Sequence, residues 1–261
     1  MFNCTNVYSV WDKRLIRGVK NYRRLNKKTE YKGTRDEEKN AKVFSHEDAT
    51  TKLLEGLGVK NMYPGILEAD DVISWLCGEI DDHKVVVSVD QDMLQLVNDQ
   101  TTVYSPIKDV LIDHKNFDDV TGVPITQFLR YKSLIGDKSD NLPGVERVGA
   151  KTAQKLLQEC ADDQALIDKL GQERLKPYFV NLKMIDLQEG HRQHPDDIEL
   201  YQKQYHKLAD LKPDYDQFLQ QCTEMNIRKI VSDVSLWKQV FSPVDVSQTL
   251  QDIVNKLDLN K

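Results

Sequence analysis

Three acidic clusters recur along the chain, each at the edge of an apolar run: Glu68-Ala69-Asp70-Asp71, Asp90-Gln91-Asp92 and Asp137-Lys138-Ser139-Asp140. Carboxylates held close together repel one another and raise one another's pKa, a cost that a bound divalent cation removes. Hard ions such as Mg2+ take oxygen ligands and divide their shell between a few carboxylates, waters and substrate phosphate oxygens. The pattern therefore points to metal-dependent chemistry on phosphates. Each cluster alone has a plainer reading as a helix N-cap or a solvated turn. Three of them, interleaved with strand, helix and loop signals, weigh toward a shared site.

Hydrophobic periodicity says which elements would carry these acids. Residues 6–11 (NVYSVW) are a β-rich run that delivers Asp12 at its C-terminal end. Ser45 and the following His46-Glu47-Asp48 open a helix toward Leu57, where Gly58 stops it. Apolar residues at Val72, Ile73, Trp75, Leu76 and Ile80 have helical spacing, which puts Glu68, Asp70 and Asp71 in a first turn. Residues 84–89 (KVVVSV) read as a strand apolar on both faces, as in a parallel sheet covered by helices, with Asp90 and Asp92 just beyond it. Ligands of open α/β sheets bind outside the carboxyl ends of the strands, so Asp12 and the Asp90–Asp92 pair map to one predicted edge. Residues 103–104 and 110–112 predict an edge hairpin, and from Pro124 onward the pattern is helical. Pro213 and Pro243 mark later breaks, and 244–259 predicts an amphipathic helix.

With 261 residues the chain can form one large domain or two smaller ones. Its 39% hydrophobic and 30% charged residues describe a soluble globular protein. No apolar run approaches membrane-spanning length and no secretory leader is visible, so neither insertion nor export is expected. Cys4, Cys77, Cys160 and Cys222 lie far apart and read as free thiols of a reducing cytoplasm.

The net charge of −6 is unevenly spread. Residues 13–42 hold twelve Lys and Arg against four acids, a cationic strip that could face a polyanion while the rest of the chain concentrates metal. A solvated charged segment is the plainer alternative. A second signal is Gly144-Val145-Glu146-Arg147-Val148-Gly149-Ala150-Lys151-Thr152-Ala153, where glycine-flanked turns launch a helix from Gly149. Unpaired amides there, with Lys151 in the first turn, would make a phosphate site that reads no base sequence. Tight packing at an ordinary helix–turn–helix corner is the competing reading of the same glycines.

These motifs together resemble the 5′-nuclease superfamily: flap endonucleases, the 5′-nuclease domain of bacterial DNA polymerase I, and phage 5′-3′ exonucleases of the RNase H type. The resemblance runs through V-W-D-K at 10–13, E-Y-K-G-T-R at 30–35, L-E-A-D-D at 67–71, V-D-Q-D at 89–92 and G-D-K-S-D-N-L-P-G-V-E-R-V-G-A-K-T-A at 136–153. It implies an α/β fold: a central, mostly parallel sheet flanked by helices (a PIN-like core, N-terminally shortened), a helical arch and a helix-three-turn-helix subdomain. The implied divisions are a core over 1–122 with its basic arch at 13–44, a DNA-binding subdomain over 123–215, and a helical extension over 216–261.

Carried over position by position, the resemblance implies metal ligands at Asp12, Glu68, Asp70, Asp71, Asp90, Asp92, Asp137 and Asp140. It implies that Lys32 and Arg35 contact the scissile phosphate. DNA contacts would come from Arg23, Arg24, Lys27 and Lys28 of the arch, and from Gly144, Val145, Val148, Gly149, Lys151 and Thr152. Two Mg2+ ions, replaceable by Mn2+, would activate water and stabilise the leaving oxygen, and a K+ ion would sit at the helix-three-turn-helix. Lys32 would offset charge building on the phosphate.

Implied substrates are DNA 5′ ends and flaps and RNA–DNA hybrids, met by a cytoplasmic monomer (host cytoplasm if phage-encoded) beside replication proteins, with no membrane. Family members begin with a strand bearing an aspartate that precedes the pattern found here, so a missing first ligand and an open sheet edge are expected. Two alternatives to an active nuclease follow: a catalytically weakened remnant that binds branched DNA, and a Mg2+ phosphohydrolase of small molecules. The second leaves the basic segment and the glycine hairpin unexplained.

Overall fold

The computed structural model describes residues 4–13, 15, 16, 23 and 46–241. In chain order it contains β1 (Tyr8–Val10), α1 (Glu47–Gly56), β2 (Lys60–Met62), α2 (Ala69–Glu79), β3 (Lys84–Val87), a 3-10 turn at Gln91–Leu96, β4 (Thr101–Ser105), β5 (Val110–Ile112), α3 (Phe117–Thr121) and α4 (Ile125–Ile135). There follow β6 (Gly136–Asp137), β7 (Leu142–Pro143), α5 (Ala150–Glu159), α6 (Asp163–Leu170), α7 (Lys176–Ile185), α8 (Leu187–Gln193), α9 (Pro195–Lys207), α10 (Tyr215–Glu224), α11 (Arg228–Ser232) and α12 (Val234–Phe241). Among the described residues the strands pair in three separate ladders, β1–β2, β3–β4–β5 and β6–β7. Residues 24–45, with Arg24, Lys27, Lys28, Lys32 and Arg35 of the basic strip, and the amphipathic stretch 244–259 lie outside the described residues.

Backbone proximity divides the described residues into two compact units, one holding 4–9, 46–62 and 204–241, the other 10–13, 15, 16, 23 and 63–203. In the first, α1 ends at Leu57 and Gly58 turns the chain at φ +77°, a conformation open to glycine. α1 lies directly on α10: a Cβ at Gly56 would sit 2.9 Å from that of Phe218. Leu57, Val59, Phe218 and Cys222 form the buried cluster between them.

In the second unit β3 pairs parallel to β4, and β4 antiparallel to β5, so that Val86 lies opposite Val103 and Val103 opposite Ile112. These three point into a core completed by Met93, Phe117, Phe128, Leu134, Val145, Leu156 and Tyr178. The expected cover on both faces of the third strand is corrected here: Val87 and Val89 are 60% and 61% exposed. Among the described residues the buried side of the strand is the Val86 face, and alternation of side chains along a strand turns Val87 to the other face.

α4 runs through the middle of this unit. Its Arg130 draws in the neighbouring helices, donating to Asp163 Oδ1 at 3.0 Å, to Gln127 Oε1 at 2.8 Å and to the carbonyl of Ala161 at 3.1 Å. The Tyr178 hydroxyl donates to the same Asp163 oxygen at 2.6 Å. All four cysteines are free thiols. No described helix is long and apolar enough to cross a membrane.

At the end of α4 the chain enters the short β6–β7 hairpin through Gly136, at φ +74°. A Cβ there would strike the backbone of Leu142 and Gly144, so backbone packs on backbone and only glycine fits. Gly136→Ala should therefore lower stability by at least about 2 kcal/mol, combining left-handed strain with a clash that the backbone cannot relieve; the urea midpoint measures it.

Candidate metal and phosphate site

The acids named from the pattern gather in the second unit as two sets, each organised by a buried cation. At the start of α2, Asp12 Oδ1 accepts the Ala69 N–H at 3.2 Å, satisfying one of the amides a helix N-terminus leaves open. Asp71 Oδ2 accepts the Glu68 N–H at 2.9 Å, the backward-reaching half of a capping box. Anionic groups are also favoured there by the helix dipole.

Arg23 enters this set from the basic strip. Its Nη1 lies 2.7 Å from Asp71 Oδ2 and 3.0 Å from Glu68 Oε2, its Nη2 2.8 Å from Asp71 Oδ1, and its Nε donates to Met184 O at 3.0 Å. Arg23, Glu68 and Asp71 are all buried. Two expectations are corrected by this geometry. Arg23 is an internal counter-ion, with its fork filled by protein, and presents nothing to DNA. Asp71, with no exposed surface and both oxygens engaged, is a structural cap where a metal ligand was expected.

The second set lies beyond β3 and at the β6–β7 hairpin. Asp90 is exposed and its Oδ1 accepts the Asp92 N–H at 2.9 Å, capping the 3-10 turn. Lys132 of α4, buried, donates to Asp137 Oδ2 at 2.7 Å and lies 3.1 Å from Asp92 Oδ1. Asp92 Oδ1 is buried, with this charge contact to Lys132 and no hydrogen bond of good geometry. Burial pushes the Asp92 carboxyl up to about 6, against the pull of Lys132 and with repulsion from Asp90 and Asp137 adding to it. At Asp137 burial also opposes ionisation, but hydrogen bonds from Lys132 and Ser139 outweigh it and hold the carboxyl below its ordinary range. Burial disfavours the Lys132 ammonium as well, yet Asp92 and Asp137 more than offset it and keep the group charged.

Asp70 and Asp140 are half-buried. Among the described residues no three acids, histidines or cysteines are gathered as a ready metal cage. The donors nevertheless suit a hard divalent cation: they are carboxylate oxygens, and one of them, Asp92 Oδ1, is buried without the hydrogen bond that burial demands.

The glycine hairpin divides between the two readings offered for it. Val145 and Val148, expected to contact DNA, are instead buried with their amides spent on Leu134 O and Val145 O, so neither offers a side chain or an N–H to a phosphate. A Cβ on Gly144 would strike the carbonyl of Ile135, so this glycine serves packing. Gly149, Lys151 and Thr152 are exposed, Gly149 has open space around it, and no side chain caps α5.

Lys132 and His191 escaped the sequence pattern. Lys132 carries a signal in retrospect, a lysine one turn after Phe128 on the buried stripe of α4. His191, whose Nε2 donates to Asp71 O at 2.8 Å, carries none.

Two family models meet end to end on the chain: the N-terminal resolvase-like domain of 5′-3′ exonucleases over residues 2–122, and their C-terminal SAM fold over 123–233. The chain belongs to the 5′-3′ exonuclease family. It is 33% identical over 183 residues to a 5′-3′ exonuclease of Halalkalibacterium halodurans, covering 68% of this chain and 58% of that one. With the 5′-3′ exonuclease of Buchnera aphidicola (subsp. Schizaphis graminum) it shares 30% over 152 residues, 57% of this chain and 53% of that. With the thermostable DNA polymerase I of Thermus aquaticus it shares 37% over 129 residues, 48% of this chain and 15% of that. The chain thus spans somewhat over half the length of these exonucleases.

Among solved structures, bacteriophage T5 flap endonuclease in a complex with DNA and metal ions matches with a TM-score of 0.63 at 23% identity, covering 78% of this chain and 84% of that. A T5 protein co-crystallised with metal ions matches with a TM-score of 0.64, also at 23% identity, over 78% and 86%. At this identity the likeness is one of fold.

The two buried cations make separate predictions. Arg23→Met should destabilise the protein by about 3–5 kcal/mol, because Asp71 and Glu68 stay buried without a counter-charge; chemical denaturation measures the loss. Asp92→Asn should act in the opposite direction in metal-free protein. The folded pKa of Asp92 exceeds its unfolded value, so ionising it in the fold is penalised, fully above the folded pKa and not at all below the unfolded one. The variant should therefore gain roughly 3 kcal/mol near pH 7.5, and the gain should fall by about half at pH 5. Thermal melts of both proteins across that range read it.

Proposed function

We propose that this chain hydrolyses phosphodiester bonds at DNA 5′ ends and flaps with the help of bound divalent cations. The observation that carries the reading is the Asp90–Asp92–Asp137 group, in which a buried carboxylate oxygen lacks a hydrogen bond and its acid is driven toward neutrality. Such an arrangement costs stability and is relieved by a cation. Family membership supports the reaction class, and the T5 flap endonuclease with its DNA and metal ions supports the substrate class.

Asp90, Asp92, Asp137, Asp140, Asp12 and Asp70 would hold two Mg2+ ions, with Mn2+ as a substitute. When bound, such ions lower the pKa of water and neutralise charge on the transferred phosphate. The chain's own residues have distinct tasks. Lys132 holds Asp92 and Asp137 together against their repulsion, and Arg23 with Asp71 and Glu68 anchors the start of α2, where Asp70 stands half-buried. The open amides at the start of α5, with exposed Lys151 and Thr152, would take a backbone phosphate of the duplex and so set how far the substrate end reaches. Lys32 and Arg35 would supply positive charge at the scissile phosphate, and a K+ ion would sit by the α5 hairpin. RNA–DNA hybrids belong to the same substrate class, and the protein would act as a cytoplasmic monomer alongside replication proteins.

The absence of a ready three-acid cage among the described residues favours one competing reading, a branched-DNA-binding protein with weakened catalysis. A labelled 5′-flap duplex separates the two. Mg2+-dependent cleavage by the wild type, reduced at least about 100-fold in Asp137→Asn with flap binding in Ca2+ unchanged, is the expected result. Tight binding without cleavage by the wild type would select the competing reading.

A further inference from the structure

The loop that leads into Glu68 is built around a residue far away in the chain. Three successive amides, of Gly65, Ile66 and Leu67, point at one carboxylate, that of Asp197 in the first turn of α9, at 3.1, 3.1 and 3.0 Å. The Tyr201 hydroxyl, one helical turn on, donates to the same carboxylate at 3.1 Å. Asp197 is 2% exposed, and a Cβ at Gly65 would collide with its carboxylate, so the glycine leaves the space that the acid fills. Consecutive backbone N–H groups converging on a point form an anion-binding concavity. Here the anion is supplied by the protein itself, in charge-assisted hydrogen bonds that outweigh ordinary ones.

The same stretch grips α2 in two further places. The Tyr201 ring packs on Trp75 with centroids 5.8 Å apart and on His191 at 6.5 Å, and His191 Nε2 donates to the carbonyl of Asp71. Residues 65–67 are thus immobilised by α9, and the last of them is bonded to Glu68, with Asp70 two residues further on.

We propose that Asp197 is a positioning residue for the cation site: by ordering the 65–67 loop from α9, it sets where the start of α2 stands and with it the half-buried Asp70 as a ligand. This rests on the metal-dependent reading given above for that acid. Without the carboxylate the three amides must turn to water, the loop loses its single conformation, and the acid after it loses its preorganisation for an ion. DNA contacts at α5 are untouched.

The test uses Mn2+ binding followed by water-proton relaxation, with flap cleavage alongside. Asp197→Asn keeps the shape of the side chain but removes the charge that the three amides converge on and puts an N–H in place of one of the two oxygens. It should weaken Mn2+ binding at least fivefold and raise the metal concentration for half-maximal cleavage in parallel, with KM for the flap unchanged. Phe218→Leu, in the other unit, serves as a control for general destabilisation and should leave Mn2+ affinity unaltered. If Asp197→Asn does not fold, Tyr201→Phe and Gly65→Ala carry the same comparison, with a smaller weakening expected. Unaltered Mn2+ affinity in the folded variants overturns the proposal, whether or not the wild type cleaves DNA. A wild type that binds Mn2+ but cleaves no flap would overturn the nuclease reading alone and leave the Asp197 comparison standing, whereas a wild type with no affinity for Mn2+ overturns both.

Discussion

Burial of charged groups is the constraint around which the second unit is organised. Acids from five separate stretches of chain, at 12, 68–71, 90–92, 137–140 and 197, are placed within one folded unit, and at Asp92 burial, with repulsion from Asp90 and Asp137 adding to it, works against ionisation. The fold answers with two buried cations, Arg23 between Glu68 and Asp71 and Lys132 between Asp92 and Asp137. Lys132 is shared unequally between two acids: Asp137, helped by Ser139, is held below its ordinary range, and Asp92 carries the deficit. Buried ion pairs of this kind are weak sources of net stability because desolvation offsets much of the attraction. Their effect is to prescribe geometry, since a guanidinium fork accepts only particular placements of the carboxylates around it.

The acid Asp137 and the open amides at the start of α5 are coupled through the β6–β7 hairpin. Gly136 and Gly144 allow its two sides to touch backbone to backbone, and the Val145 amide is tied to Leu134 O at 2.8 Å. Asp137 leaves α4 at one side of this contact, and the chain reaches the exposed start of α5 from the other. A single stretch therefore carries an acid of the candidate site and the amides suited to a phosphate. A shift in either would be felt by the other, because the contact between them has no side chain to give way.

Much of the scaffold was legible in the residues. Period-3.6 patterning located α1 and α2 to within a residue or two, the glycine turn located the start of α5, and the apolar run at 84–89 located β3 with Asp90 and Asp92 at its end. Composition could not say which face of β3 would be covered, because Val87 and Val89 look as buried as Val86 until the packing of helices is known. In the 144–153 segment the glycine and valine spacing correctly announced a tight turn into a helix. Whether each residue faced inward or outward depended on contacts with Leu134 and Ile135 that spacing does not carry.

Residue types and order alone established a chain rich in acids at element boundaries, a basic strip, and a glycine-launched helix, and with them membership of a nuclease family. They did so because side-chain periodicity and capping chemistry are local, acting over one or two turns. Tertiary structure alone decided which charges became ligand candidates and which became counter-ions. Arg23 and Asp71 are indistinguishable by type from a DNA-binding arginine and a metal-binding aspartate, and they are withdrawn from those roles only by meeting each other across 48 residues. Asp197 gave no sign at all, since the three amides it satisfies lie some 130 residues earlier. Electrostatic pairing in a low-dielectric interior depends on distances of a few ångströms, and only folding brings such residues that close.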